Sequence, residues 1–182
     1  MATSGRVHDR AVLDALESVE PTDWTSKVWR ITRAGYNAIG GSSANGRWSP
    51  GGTVEVLYTS LASEGSTAEV GFRLGLEPAW PSRIQHEIHE ISVQASRILR
   101  FPDVQGLEKF DIDPSKFESF DYGASQSLAA AAHFLECDGL IVPSARHNSL
   151  NLVLFMDRPA AGSLEVLASS PVDWSSWRRV RK

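Results

Sequence analysis

The sequence predicts a single α+β domain. Alternating, strand-like stretches outnumber helical ones, and the two kinds do not alternate regularly as a doubly wound sheet requires. At 182 residues and 42% hydrophobic content, the chain can bury one sizeable core and is too short for two. A charged fraction of 22% is ordinary for a soluble globular protein. The net charge of −4 argues against phosphate neutralisation, and so against nucleic acid as a direct partner. The basic tail Arg178, Arg179, Arg181 and Lys182 reads as a solvated terminus. Cys137 is the only cysteine, which excludes an intrachain disulfide; it follows an apolar helical run and reads as a buried thiol. No stretch has the length of a membrane span, and the first residues lack the pattern of a leader, so a reduced, cytoplasmic protein with no membrane partner is expected.

The elements follow in order. Residues 8–20 carry Val12, Leu13, Leu16 and Val19 on one helical face, and Pro21 stops the helix. Residues 27–32 alternate as a strand, and Arg30 in so apolar a setting needs either a carboxylate or an anion. Residues 34–52 hold seven glycines or prolines and form a loop. Val54 to Tyr58 is an apolar strand, and Ser66 to Glu69 fits a capping box opening a helix that runs to Pro78. Two short strands follow, at 88–93 and 98–101, and His86 and His89 point to opposite faces, which argues against a metal site. Residues 103–122 read as loop with a short helix, and Gln126 to Glu136 as an alanine-rich helix lying close to the sheet. The stretches 139–145 and 151–155 form a hairpin around His147 and Asn148, and 164–167 is an edge strand. Trp174 and Trp177 pin the last segment to the core.

The usual nucleotide, zinc-protease and nucleophile-elbow motifs are missing from the sequence. What remains is Arg30, Arg47, Tyr58, Glu69, Ser125 with Gln126 entering a helix, and Asn151 opening a strand. Two guanidinium forks suit a pyrophosphate, a tyrosine can stack on a flat base, and one carboxylate can stabilise a cationic ribosyl transition state. Ser125 lies where helix N-terminal donors favour anions, although a plain cap fits equally.

These residues stand in a recognisable order: Trp29-Arg30, Gly46-Arg47-Trp48-Ser49-Pro50, Leu57-Tyr58, Ala68-Glu69, Ser125-Gln126, Asp138 to Ala145, and Asn151 to Phe155. The set resembles the RES-domain family over about residues 25–160, and the whole chain reads as one RES domain. The resemblance implies a mixed or antiparallel split sheet flanked by helices, similar to ADP-ribosyltransferases. It also implies a toxin that consumes NAD+, taken as substrate with no prosthetic group, and an Xre-type antitoxin as partner.

Carried over by position, Arg30, Glu69 and a serine would be the catalytic set. Ser125 fits the serine's helix-entry position and Ser144 is its rival. Arg47, Trp48, Tyr58, Gln126 and Asn151 would join Arg30 in binding NAD+. The acceptor of the ADP-ribosyl group could be water, inorganic phosphate or a protein side chain, giving hydrolysis, phosphorolysis or ADP-ribosylation of a target. A non-enzymatic module with a structural Arg30–Glu69 ion pair is a further alternative.

Overall fold

The computed structural model describes residues 8–49, 54–158 and 162–180. The expected glycines at 51 and 52 and the tail residues Arg181 and Lys182 lie outside them. Helix α1 (Arg10–Glu17) starts at Asp9, whose side chain accepts the Ala11 N–H, and buries Val12 and Leu16. Strand β1 (Thr22–Arg33) leads to β2 (Val56–Ser60), helix α2 (Ser63–Gly75) and the long strand β3 (His86–Arg100). Two 3-10 turns, Gln105–Phe110 and Pro114–Lys116, precede helix α3 (Gly123–Phe134). Strands β4 (Gly139–Pro143), β5 (Leu150–Phe155) and β6 (Leu164–Pro171) and helix α4 (Trp174–Arg179) complete the chain.

The α+β class holds, with a mixed six-stranded sheet. β3 organises it. One of its edges pairs antiparallel with β1 over most of its length; the other pairs antiparallel with β6 at Glu87–Val93, then parallel with β4 at Ile98–Arg100. β4, β5 and β2 continue antiparallel, and β2 returns to β1 at Ser60 and Trp29, so the sheet closes on itself. The two strands expected at 88–93 and 98–101 are therefore one strand whose partner changes along its length.

Alternation sorts the side chains into two cores. Val28, Leu57, Ile91, Ile98, Ile141, Leu152 and Leu154 pack together on one face. Val56, Leu99, Leu140, Val142, Val153 and Phe155 take the other face, under Leu16 of α1 and Leu128, Ala129 and Ala132 of α3. The consecutive alanines do bring α3 close: Ala129, Ala131 and Ala132 are essentially inaccessible. Cys137 is buried and free, and burial pushes its thiol up from the ordinary value. Trp174 is buried and donates Nε1–H to His86 Nδ1 at 3.1 Å. Arg178 is not simply solvated, because its guanidinium lies 4.7 Å from the Trp80 ring centroid.

The capping-box reading is overturned. α2 begins at Ser63 behind Ala62, which makes no side-chain cap, and the Ser66 N–H donates to Ala62 C=O as an ordinary helical bond. Ser66 and Glu69 are interior helical residues. The buried face of α2 is built from Gly65, Ser66, Ala68 and Gly71, so the helix can sit against its neighbours at backbone distance. A methyl group at Gly65 would meet the hydroxyls of Ser60 and Ser149, and one at Gly71 would meet the Trp177 ring.

Gly139 has a similar constraint within the sheet: a methyl group there would collide with the Val153 carbonyl oxygen, which is backbone and cannot swing aside. Gly139→Ala should therefore cost about 1–3 kcal/mol, the range for overpacking a tight site. Urea unfolding measures it, and a midpoint equal to wild type would refute the close approach.

Candidate active site

Glu69 leaves the middle of α2 and reaches the turn between β4 and β5. Its Oε1 accepts two hydrogen bonds, from Ser144 Oγ at 2.5 Å and from Asn151 Nδ2 at 3.1 Å. Oε2 accepts none from a described residue, so one oxygen is held and the other is available. Asn151 is fixed in turn by β5, where it pairs with Val142 of β4 and Ser60 of β2. The Asn151 Oδ1 is buried without a hydrogen-bond partner. Of the two candidate serines, the structure brings Ser144 to the carboxylate. Ser125 is buried in the first turn of α3, where it lines a small cavity with Arg47 and Lys116, and no hydrogen bond joins it to Glu69.

The loop after β1 is held at several points. Arg30 Nη1 donates to the carbonyls of Ala38 and Gly40, both at 2.7 Å. This is neither the carboxylate nor the anion that the sequence suggested. Among the described residues Arg30 forms no ion pair, so a structural Arg30–Glu69 bridge is excluded. Burial lowers the Arg30 pKa, and carbonyl dipoles rather than a counter-charge offset the desolvation. Gln126 Nε2 donates to Asn45 Oδ1 at 2.5 Å and Gly46 C=O at 2.9 Å. Tyr58 Oη accepts the Trp48 N–H at 3.1 Å, and a methyl group at Gly46 would come within 2.7 Å of that same oxygen. The Trp48 side chain, expected to touch a ligand, is 2% exposed and packs in the helix-side core, so it anchors the loop.

These anchors set the position of Arg47. Its Nη2 donates to Ser119 C=O at 3.0 Å, and its guanidinium lies between the Phe117 and Tyr122 rings, 4.7 and 4.8 Å from their centroids. Burial lowers its pKa; Tyr122 and Glu69 oppose that shift, and Arg146 adds to it. Arg47, Arg146 and Glu69 are thus electrostatic neighbours, whereas Arg30 acts on His89. Arg73, one turn beyond Glu69 on α2, reaches Tyr58.

Sequence reasoning missed Arg73, Arg146 and Tyr122. The available signals were the i,i+4 spacing of Glu69 and Arg73, and an arginine two residues beyond the rival serine. Among the described residues no cluster of His, Cys, Asp and Glu could hold a metal ion, and no helix is long and apolar enough to cross a membrane.

A closed mixed sheet carrying one carboxylate among half-buried arginines defines the class. The RES-domain family profile matches residues 27–175, and the chain belongs to the RES-domain family. Among known proteins it is similar to the NAD(+) phosphorylase MbcT of Mycobacterium bovis and of two strains of Mycobacterium tuberculosis. The identity is 21% over 179 residues, covering 95% of this chain and 96% of each relative. It is also similar to a chain in the crystal structure of the M. tuberculosis MbcT–MbcA toxin–antitoxin complex, with a TM-score of 0.83 at 20% identity. That match covers 95% of this chain and 98% of the other, and at this identity it shows the shared fold.

Tyr58 gives the site a titration signature. Burial raises its phenol to about 12, and the Trp48 N–H and Arg73 only partly offset this. The neutral phenol is favoured in the folded state, so its contribution to stability is complete below the ordinary value of 10.0 and is lost as pH rises toward about 12. An ultraviolet titration of the three tyrosines should show a last ionisation near pH 12 that is missing in Tyr58→Phe. An unchanged curve in that variant would remove the buried-phenol assignment.

Proposed function

We propose that this protein consumes NAD+, breaking the nicotinamide–ribose bond and passing the ADP-ribosyl group to inorganic phosphate. We further propose that it acts as the toxin of a pair whose antitoxin, of the Xre type that the family resemblance implies, covers the site. One observation carries the reading: the Glu69 carboxylate is fixed at Oε1 by Ser144 and Asn151, leaves Oε2 unbonded, and has Arg47 and Arg146 as charged neighbours. Membership of the RES-domain family and the likeness to proteins named NAD(+) phosphorylase support the substrate and the acceptor.

The chemistry follows from the charges. NAD+ carries a diphosphate, for which the Arg47 guanidinium, held by a carbonyl and two aromatic rings, supplies a cation. As the C1″–N bond lengthens, positive charge spreads over ribose C1″ and its ring oxygen. A carboxylate held in place stabilises that charge without reorganising during the step. Ser144 and Asn151 position Glu69, and both approach the same oxygen, which orients the other. Tyr58 and Gln126 act through the loop that carries Arg47, and so does Arg30, whose remaining guanidinium nitrogens can also face a phosphate. The bonding pair leaves with the nicotinamide nitrogen, which becomes neutral.

Glu69→Gln keeps the side chain's size and removes its charge, and should lower kcat by about a hundred- to a thousandfold. Ser144→Ala, which frees Oε1, should lower kcat by about tenfold or more. The assay is nicotinamide release by the purified, antitoxin-free protein with and without inorganic phosphate. Loss of NAD+ that requires phosphate and vanishes in Glu69→Gln supports the reading. Turnover without phosphate would assign water as acceptor, and no turnover by the folded protein in either buffer would overturn NAD+ consumption.

A further inference from the structure

The turn from Ser144 to Ser149 is wound around one hydroxyl. Ser144 Oγ accepts the backbone N–H groups of Arg146 at 3.1 Å and His147 at 3.2 Å while donating to Glu69 Oε1. The turn and the carboxylate therefore move as a unit. Arg146 stacks with its guanidinium carbon 3.6 Å from the Phe72 ring centroid and 5.7 Å from that of Phe120, and its Nη2 donates to Glu118 C=O at 2.9 Å. Among the described residues no carboxylate pairs with it, although it is partly buried and repelled by Arg47. A desolvated arginine held by aromatic faces and one carbonyl keeps part of its donor fork unused, and such a fork suits a tetrahedral oxyanion.

A second observation points to the same place. His147 Nδ1 is buried and has no hydrogen-bond partner. Arg146, His147 and Ser144 line an open cleft of about 500 Å³ together with Phe72 and the exposed Glu118. Phe72 is three residues from Glu69, on the same side of α2, and Ser144, which donates to Glu69, lines the cleft, so the cleft adjoins the carboxylate. Among the described residues near the site there are two groups of basic side chains: Arg47 and Lys116 line one cavity together with Asp111, Asp113 and Asp121, and Arg146 and His147 line the other together with Glu118. An NAD+ diphosphate calls for one of them. The acceptor must meet the carbon that Glu69 faces, and only the second group is tied to Glu69 through Ser144.

Resting on the NAD+-consuming reading, we propose that this turn is the acceptor subsite, in which Arg146 and His147 hold inorganic phosphate for attack on ribose C1″. An oxygen of hydrogenphosphate forms the bond to C1″ as the C1″–N bond breaks. The bonding pair stays on nicotinamide nitrogen, and the phosphate's proton passes to solvent. Arg146 acts on the phosphate itself, so its removal acts on phosphate use before it acts on NAD+ binding.

Two measurements test this. In the first, initial rates of nicotinamide release are taken with phosphate varied at saturating NAD+. Arg146→Ala should raise the KM for phosphate by about tenfold or more and leave the KM for NAD+ within about twofold, and Arg146→Lys should recover part of the loss. Equal rises in both KM values, or no rise in either, would overturn the subsite. The second is calorimetric titration of inorganic phosphate into wild type and the two variants without NAD+, with melting curves confirming that each is folded. Binding by wild type that weakens in Arg146→Ala supports the subsite even if no NAD+ is turned over, in which case the NAD+ reading fails alone. Wild type that turns over NAD+ but shows neither phosphate binding nor an Arg146-dependent KM overturns the subsite and leaves that reading standing.

Discussion

The site depends on how closely α2 can approach the strand ends. Glu69 reaches Ser144 and Asn151 because the buried face of its helix carries glycine, serine and alanine where a bulkier residue would hold it away. Gly65 sits against the hydroxyls of Ser60 and Ser149, at the ends of β2 and of the β4–β5 turn. The helix gives up propensity at Gly65 and Gly71, on the order of 1 kcal/mol each relative to alanine. In return, a charged side chain is set at a fixed point on a closed sheet. The strands add rigidity, since Asn151 is tied into β5 between two antiparallel partners.

A second constraint is the long loop after β1, which is poor in apolar side chains and cannot hold itself in place by burial. Its order comes from outside, through Arg30 under Ala38 and Gly40, Gln126 on Asn45 and Gly46, and Tyr58 beneath Trp48. Each of these side chains comes from a regular element or its first turn, and each partner is in the loop; Arg30 and Gln126 donate, and Tyr58 accepts. Trp48 supplies a large buried apolar anchor. Residues expected to touch a ligand thus divide in two. Arg30, Trp48, Tyr58 and Gln126 shape the loop, whereas Arg47, Glu69 and Asn151 present groups to the site. The contacts of Arg30 with the Ala38 and Gly40 carbonyls tie this residue to the loop that carries Arg47.

The class of fold was legible because the short continuous apolar runs of β4 and β5, separated by a polar turn, and the alanine run of α3 are strong local patterns. The start of α2 was misread for a physical reason. Ser66 and Glu69 have the capping-box spacing, but the helix begins earlier without a side-chain cap, stabilised by packing rather than by its end. The length of β3 was hidden too, because a strand that changes partners has no single burial pattern to read. In the site, Glu69 and Arg47 were legible from ordered motifs. Arg146 was not, since the Phe72 and Phe120 rings that hold it are distant in sequence.

The charge pattern explains why one carboxylate suffices. The chain carries a net charge of −4, and Asp111, Asp113 and Asp121 line the Arg47 cavity and Glu118 the Arg146 cleft, yet among the described residues none of them forms an ion pair with either arginine, and Glu69 is the carboxylate felt by Arg47. Two half-buried arginines that repel each other would be costly around an empty cleft. Each is held instead by backbone carbonyls and aromatic faces, partners that lower the cost of burial without neutralising the charge. A carboxylate paired directly to either arginine would compete with an anionic substrate for the same donors. Keeping Glu69 on a serine and an asparagine leaves its charge for a cation and leaves the arginines for anions, and a reaction that joins an anionic acceptor to a cationic ribosyl centre requires both.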